Sequence, residues 1–261
     1  MRSLYIGATG MLAQEQNVEV ISNNIANMNT TGYKRRRTEF HDLLYQNLRR
    51  VGSASSDSGT IVPTGVQLGL GVKLAAVYRI HGQGNLTATD NVLDLAIQGK
   101  GFFQVLMPDG QTAYTRDGTF QMSSDGTLVT HDGYQLQPNI AVPSNAVDVT
   151  VNSSGEVLVK VAGQTASQNV GQLTLASFPN PAGLDAIGDN YLLQTTASGS
   201  PVTATPGATG MGTLLQGFLE TSNVNAVEEV GNLISAQRAY EMNSKVISTS
   251  DEMMSTVNQL K

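Results

Sequence analysis

Cysteine is absent from the 261-residue chain, which excludes disulfides, thiolate zinc sites and cysteine nucleophiles. Tryptophan is missing too, aromatic residues make up 5% and charged residues only 14%. The formal net charge is −6. A nucleic-acid binder carries a basic excess, so nucleic acid is not an expected partner. No run of about 18 apolar residues occurs, so no membrane insertion is expected. The opening stretch, "MRSLYIGATGMLAQEQNVEV", lacks the continuous apolar segment and small-residue cleavage site of a secretory signal. Export, if it happens, is expected by a route without a cleavable signal peptide.

What the chain does have is glycine, 27 residues of it, among many Thr, Ser, Asn and Gln. That mixture suits a turn-rich β protein better than a compact α/β enzyme. The length allows a substantial core and two or more domains.

The two ends read alike. Leu4, Met11, Val18 and Ile25 recur at intervals of seven, as do Leu233, Tyr240, Ile247 and Met254. That spacing lines one face of a helix that seeks a long partner helix. A single stripe of this kind would ordinarily pack on its own globular domain. Between residues 3 and 28, however, Glu15 and Glu19 are the only charges. A water-facing helix is normally rich in charge, so small neutral side chains all round point to a helix surrounded by other protein. The expected arrangement is a terminal helix pair that becomes a subunit interface and is loose in an isolated copy.

The middle is β. Asp-Gly pairs at 109–110, 117–118, 125–126 and 132–133 are strong turn signals and describe a meander of short strands. "VDVTV" and "EVLVKV" alternate valines at 147, 149, 151 and at 157, 159, 161, joined by "NSSG", which is a hairpin with one valine face inward. "QLTLASF" adds a strand, and 197–212 reads as a returning loop. Residues 49–76 differ again. Val62, Val66, Leu68, Leu70 and Val72 are too apolar for a solvated tether and mark an extended arm rather than a flexible linker.

Chemistry is harder to assemble. His41, His81 and His131 stand alone, with no metal-ligand spacing, and neither a nucleophile elbow nor a phosphate loop is present. "GKGFFQ" at 99–104 lacks the third glycine of a dinucleotide fingerprint and reads as a turn into a strand. The Asp-Gly loops offer no calcium-ligand series. No catalytic residue, metal or cofactor is therefore expected. A hydrolase would need a carboxylate among Asp94, Asp109, Asp117 and Asp125, and a secreted β-rich adhesin with dimerising helices is a rival of the binding class.

The most unusual stretch is "SNNIANMNTTGYKRRRTEF", residues 22–40. Its asparagines end the helix, Gly32 supplies a reversal, and Lys34 to Arg37 are expected to pair with acids such as Glu39 or with a neighbouring subunit. It resembles the signature of the bacterial flagellar rod and hook proteins, with Asn24, Ala26, Asn27, Thr31, Gly32, Tyr33 and Lys34 in matching places. "LDLAIQGKGFFQV", "YTRDGTF" and "GTLVTHDGYQLQP" are similar to the family's β core, and "ETSNVNAVEEVGNLISAQRAYEMNSKVISTSDEMM" to its closing helix. The length and the arm look most like the distal-rod branch, with a proximal rod subunit or a short hook-type protein of the same family as alternatives.

The resemblance implies an α+β, multidomain subunit that polymerises with itself into a hollow helical tube, crosses the periplasm as a drive shaft and leaves the cell through the flagellar type III export apparatus. Implied partners are proximal rod proteins, the hook or its junction, and the surrounding ring proteins. Residues 1–30 and 225–261 would form the inner helical layer, 31–75 the arm and 76–220 the β domain. The stretch 22–40 then reads as a hinge, at which a Gly32→Val change is expected to spare the β domain's own fold.

Overall fold

Small side chains bring the two ends of the chain together. The computed structural model describes residues 2–49, 64–164 and 166–259. Helix α1 is Arg2–Ala26 and helix α2 is Ala226–Gln259. Asn225 starts α2 by accepting the Val227 N–H at 3.0 Å through its side chain, and Glu228 and Glu229 follow in the first turn, where carboxylates suit the helix dipole. Gly7 of α1 lies against Ile247, Gly10 against Asn243, and Asn24 reaches Glu229. Rising numbers on α1 thus meet falling numbers on α2, and the pair is antiparallel. A Cβ at Gly10 would come within 2.8 Å of the Asn243 amide, so glycine sets how closely the helices approach. Ala13, Ala236 and Ser250 are buried along with them.

By its contacts the chain forms two compact units, one drawn from Met1–Ile25, Arg36–Tyr78 and Asn225–Lys261, the other from Ala26–Arg35 and Arg79–Val224. The first, helical unit also holds two β ribbons. Arg36–Asp42 pairs with Val72–Arg79, and Tyr45–Arg49 pairs antiparallel with Val66–Gly69. Thr38 Oγ1 donates to Asn17 Oδ1 at 2.6 Å, which fastens the first ribbon to α1.

The second unit is the β domain. Its largest sheet has seven strands in the order Asp185–Gly188, Tyr191–Leu193, Thr112–Thr115, Phe103–Leu106, Gln135–Gln137, Leu128–Val129 and Gln121–Met122. Three Asp-Gly pairs make its tight turns, with Gly110, Gly126 and Gly133 at φ +83°, +75° and +85°. The fourth, Asp117-Gly118, is not a hairpin turn. Gly118 lies against the Leu95 backbone, whose N–H donates to the Gly118 carbonyl at 3.0 Å, and a Cβ there would meet the Leu95 oxygen. Glycine at 118 serves a close chain crossing.

The valine hairpin forms as Ala146–Val151 paired with Glu156–Val161. Val149, Val151, Val157, Val159 and Val161 are buried, but Val147 is 71% exposed because the register shifts between Ala146 and Asp148. "QLTLASF" divides between Gln168–Gln172 and Leu175–Ser177, and the expected loop at 197–212 contains a strand, Val202–Ala204, paired with the latter. The hairpin packs with Leu95, Ile97, Phe103 and Phe120 into one core, while Phe102, Tyr114, Phe178, Leu184 and Leu192 form a smaller second one.

Candidate functional site: a buried ion cluster and the helix surfaces

Glu220 is the last residue of the strand Phe218–Glu220, which pairs with Leu86–Ala88, and it is 1% exposed. One carboxylate oxygen accepts from Lys34 Nζ at 2.5 Å and from the Gly84 N–H at 2.8 Å; the other accepts from Arg116 Nη1 at 3.1 Å. Further donors of the two cations bond to backbone carbonyls, while Arg116 Nε is buried without a hydrogen-bond partner. Lys34 Nζ reaches the Gly82 carbonyl at 2.8 Å, and Arg116 Nη2 the Gly99 carbonyl at 2.7 Å. The Arg116 guanidinium stands 5.5 Å from the Phe102 ring centre, a cation–π distance. Burial pushes both Lys34 and Arg116 below their ordinary pKa values, with the Glu220 charge opposing that effect. Sealed from water and with its oxygens taken, this carboxylate is built to hold segments together. Both of its oxygens accept hydrogen bonds from within the fold, Oε1 two and Oε2 one.

The same strand end holds the joint. Gly32, at φ +68°, donates its N–H to the Glu220 carbonyl at 2.8 Å, and a Cβ on it would lie 2.9 Å from the Arg116 and Asp117 backbone. Asn190 donates to the Thr31 carbonyl at 3.0 Å. Asn223 ties three segments. It accepts the Arg35 N–H at 2.7 Å and donates to the Ile80 and Gly82 carbonyls at 2.9 and 3.0 Å. Arg35 also accepts the Ile80 N–H at 2.9 Å. Within the helical unit Asn24 plays the equivalent part. Its amide accepts the Arg36 N–H and donates to the Arg36 carbonyl, both at 2.8 Å, and reaches Glu229 at 3.4 Å.

His81 sits beside the cluster, its ring edge-on to Phe102 with centroids 5.9 Å apart. Burial, and then the charges of Lys34, Arg79 and Arg116, pull its pKa down to about 4, so the imidazole is neutral at pH 7. Phe102 continues to Phe178 at 6.0 Å and Phe178 to Tyr114 at 4.7 Å. An aromatic chain therefore runs from the ion cluster into the second core.

The residues singled out from sequence fall as follows. Asn24, Gly32, Tyr33 and Lys34 are buried, Asn27 and Thr31 half-buried, and Ala26 exposed at the end of α1. Lys34 pairs with Glu220 rather than with Glu39, which is exposed, because the chain folds it inward against a strand 186 residues away. Leu4, Met11, Val18, Ile25, Leu233, Ile247 and Met254 are half-buried, while Tyr240 is 44% exposed. Val66 and Leu68 are exposed on their ribbon, Leu70 and Val72 half-buried, and Val62 lies outside the described residues. Asp94, Asp109 and Asp117 each accept hydrogen bonds from their own turns. Among the described residues no three His, Asp or Glu side chains gather as a metal site. Glu220, Arg116, Asn223 and His81 carried no local signal, since their partners lie far off in sequence.

Three family descriptions match the chain in order. "Flagella basal body rod protein" covers residues 4–34, "Flagellar hook protein FlgE/F/G D1 domain" 96–159, and "Flagellar basal body rod FlgEFG protein C-terminal" 215–260. The flagellar basal-body rod protein FlgG of Caulobacter vibrioides is 59% identical over all 261 residues, covering 100% of both chains. The chain belongs to the flagellar rod and hook family.

Similar proteins under the same FlgG name are 53% identical in Agrobacterium fabrum, over 99% of each chain, and 41% identical in Bacillus subtilis, over 100% of this chain and 99% of the other. Lys34, Arg116 and Glu220 fall one in each of the three flagellar matches. The ion cluster is thus the point at which those three stretches of a rod-and-hook protein are bonded to one another inside the β unit. Among the described residues no helix is long and apolar enough to cross a membrane.

Proposed function

We propose that this chain is a structural subunit of the flagellar basal-body rod, in its distal segment, which polymerises into a hollow helical tube and passes motor torque toward the hook. The observation that carries this is end-to-end likeness to rod proteins of the FlgG name, combined with a terminal helix pair that leaves Tyr5, Ile6, Leu12, Val230, Ile234, Met242, Val246, Met253 and Val257 exposed. An apolar surface of that extent on helices is the mark of an interaction surface. Copies of the chain cover it in the tube.

In this reading residues 1–30 and 225–261 line the inner layer and 76–220 faces outward. Residues 31–75 form the connecting arm, of which 50–75 bridges neighbouring copies and keeps the tube straight. Its ribbon is two-stranded and exposes Leu44, Tyr45, Leu48, Val66 and Leu68, a construction that is marginal alone and gains from a second surface. Partners are the proximal rod proteins below, the hook or its junction above, the rings around the rod, and the flagellar export apparatus, which passes the chain without cleaving a signal peptide. The role is mechanical rather than catalytic. Electron microscopy of basal bodies from cells lacking this gene tests it. Rods that stop short of the hook are expected, and full-length rods carrying hooks would overturn the proposal.

A further inference from the structure

A cleft opens in the β unit where two neighbouring strands part. Thr112–Thr115 and Tyr191–Leu193 lie side by side in the seven-stranded sheet, yet they pair only at Leu192 and Tyr114. The next pair in that antiparallel register would set Thr112 opposite Gln194. The chain diverges there instead and leaves a space of about 700 Å³. Spaces of about 300–1,000 Å³ hold small molecules. Alternation along the two strands sends Thr112, Tyr114, Leu192 and Gln194 to one face, the face of the second core, so the cleft lies at that core's rim. Its walls are fixed. Gln111 belongs to a hairpin turn, its carbonyl accepting the Met107 N–H at 2.9 Å. Opposite, the Thr195 N–H donates to Ser198 Oγ at 3.0 Å, Thr195 Oγ1 to the Gly183 carbonyl at 2.6 Å, and the Asn180 amide to the Ala197 carbonyl at 3.0 Å. A ligand entering such a cleft has little to reorder.

Tyr114 is 4% exposed, and its ring stands edge-on to Phe178 with centroids 4.7 Å apart. Its hydroxyl nonetheless lines the cleft with no hydrogen-bond partner among the described residues. Burial raises its pKa, so the hydroxyl keeps its proton at pH 7 and is a donor. A buried phenol ordinarily finds a partner inside the fold. Tyr191, on the neighbouring strand, does so, with its hydroxyl 3.0 Å from Thr130 Oγ1 and 3.0 Å from Asp132 Oδ2. Around Tyr114 the side chains of Gln111, Thr112, Gln194, Thr196 and Ser200 also make no bond to the protein among the described residues. No charged side chain lines the cleft among them.

Three ligand classes fit this lining poorly. A phosphate or other ion would find no counter-charge. An apolar molecule would leave hydroxyls and carboxamides dry and unpaired. An extended peptide adds to a sheet through a run of main-chain bonds, and between the turns at Gln111 and Thr195 the gap is one residue pair long. Hydroxyls and carboxamides both donate and accept, as the hydroxyls of a sugar do. We propose that this cleft binds a neutral sugar, with Tyr114, Thr112 and Gln194 as its hydrogen-bonding residues and Leu193 against the C–H face of the ring. All of these residues lie within the β unit, so the site does not depend on the rod-subunit role.

Saturation-transfer NMR on the full chain tests this, because it detects ligand protons whether the protein is free or assembled. The probes are maltotriose, which offers hydroxyls only, and the trisaccharide of N-acetylglucosamine, which adds acetamido groups. An end-blocked neutral tripeptide of glycine and serine serves as the comparison. Saturable transfer to at least one trisaccharide is expected, with affinity lowered roughly two- to tenfold in Tyr114→Phe and in Gln194→Ala. Tyr114→Phe keeps the ring on Phe178 and removes a hydroxyl that bonds to nothing in the fold. Its urea midpoint should therefore hold or rise, whereas a purely structural hydroxyl would lower the midpoint and leave sugar binding alone. No transfer to either sugar overturns the inference. Sugar binding unchanged in both variants overturns the site, and tighter binding of the tripeptide than of either sugar assigns the cleft to a peptide. Each of these results leaves the rod-subunit role standing.

Discussion

Lys34 and Glu220 form a buried ion pair across 186 residues of chain, at 2.5 Å, with both side chains almost closed to solvent. Arg116 completes it at 3.1 Å. Removing one member of such a cluster leaves the others charged, desolvated and facing nothing, which typically costs about 3–5 kcal/mol. Glu220→Gln is therefore expected to lower the unfolding free energy by about 3 kcal/mol or more, measured by urea denaturation of the full chain. Replacing Lys34, Arg116 and Glu220 together by Met, Met and Leu removes the stranded charges and should cost less than Glu220→Gln alone.

His81 supplies a pH dependence. Its folded pKa, about 4, lies below the ordinary value of 6.5, so the fold favours the neutral ring. The contribution is fully present above pH 6.5 and is lost as pH falls toward 4, because the unfolded chain takes up the proton first. The slope cannot exceed about 1.4 kcal/mol per pH unit. Denaturation midpoints measured between pH 7 and 4 should fall for the natural chain and flatten over that window in His81→Phe.

Gly32 faces a harder constraint than an ordinary turn glycine. Its φ is +68°, and a Cβ would lie 2.9 Å from the backbone of Arg116 and Asp117. The contact lies within the β unit, so Gly32→Val destabilises that unit itself, contrary to the expectation from sequence that the β fold would be spared. Gly110 has φ +83° with nothing within 4 Å of a Cβ. Gly110→Ala should cost only the left-handed strain of about 1–2 kcal/mol, with Gly32→Val clearly larger in the same denaturation series.

Gly10 controls the approach of the helices. A side chain there meets Asn243 at 2.8 Å. Gly10→Leu is expected to pry α1 from α2 and to reduce the helical circular dichroism signal while the β unit's own unfolding transition keeps its midpoint.

Helices and most of the turns were legible because their signals are local. A stripe repeating by seven marks α1 and α2, and Asp-Gly marks the turns at Gly110, Gly126 and Gly133. Asp117-Gly118 looked the same but answers to a strand crossing at Leu95, which only the tertiary fold supplies. Val147 looked like its fellow valines until a register shift turned it outward. The joint around Gly32 was visible as a break in helical pattern, but its partners were not. Lys34 stood in a run of four cations that resembled a solvated surface, and nothing near it announced that Glu220 and Arg116, 186 and 104 residues apart from their counterparts, would close over it. Asn24 was likewise read as a helix-ending residue, whereas its side chain cross-links backbone segments, as does that of Asn223, which carried no local signal.

The most direct test of the account is electron cryomicroscopy of the polymer formed by the purified full chain. It predicts a hollow helical tube with α1 and α2 packed on the inner wall and the β unit outside. A closed dimer, or a filament in which the β unit surrounds the axis and the helices face solvent, would contradict it.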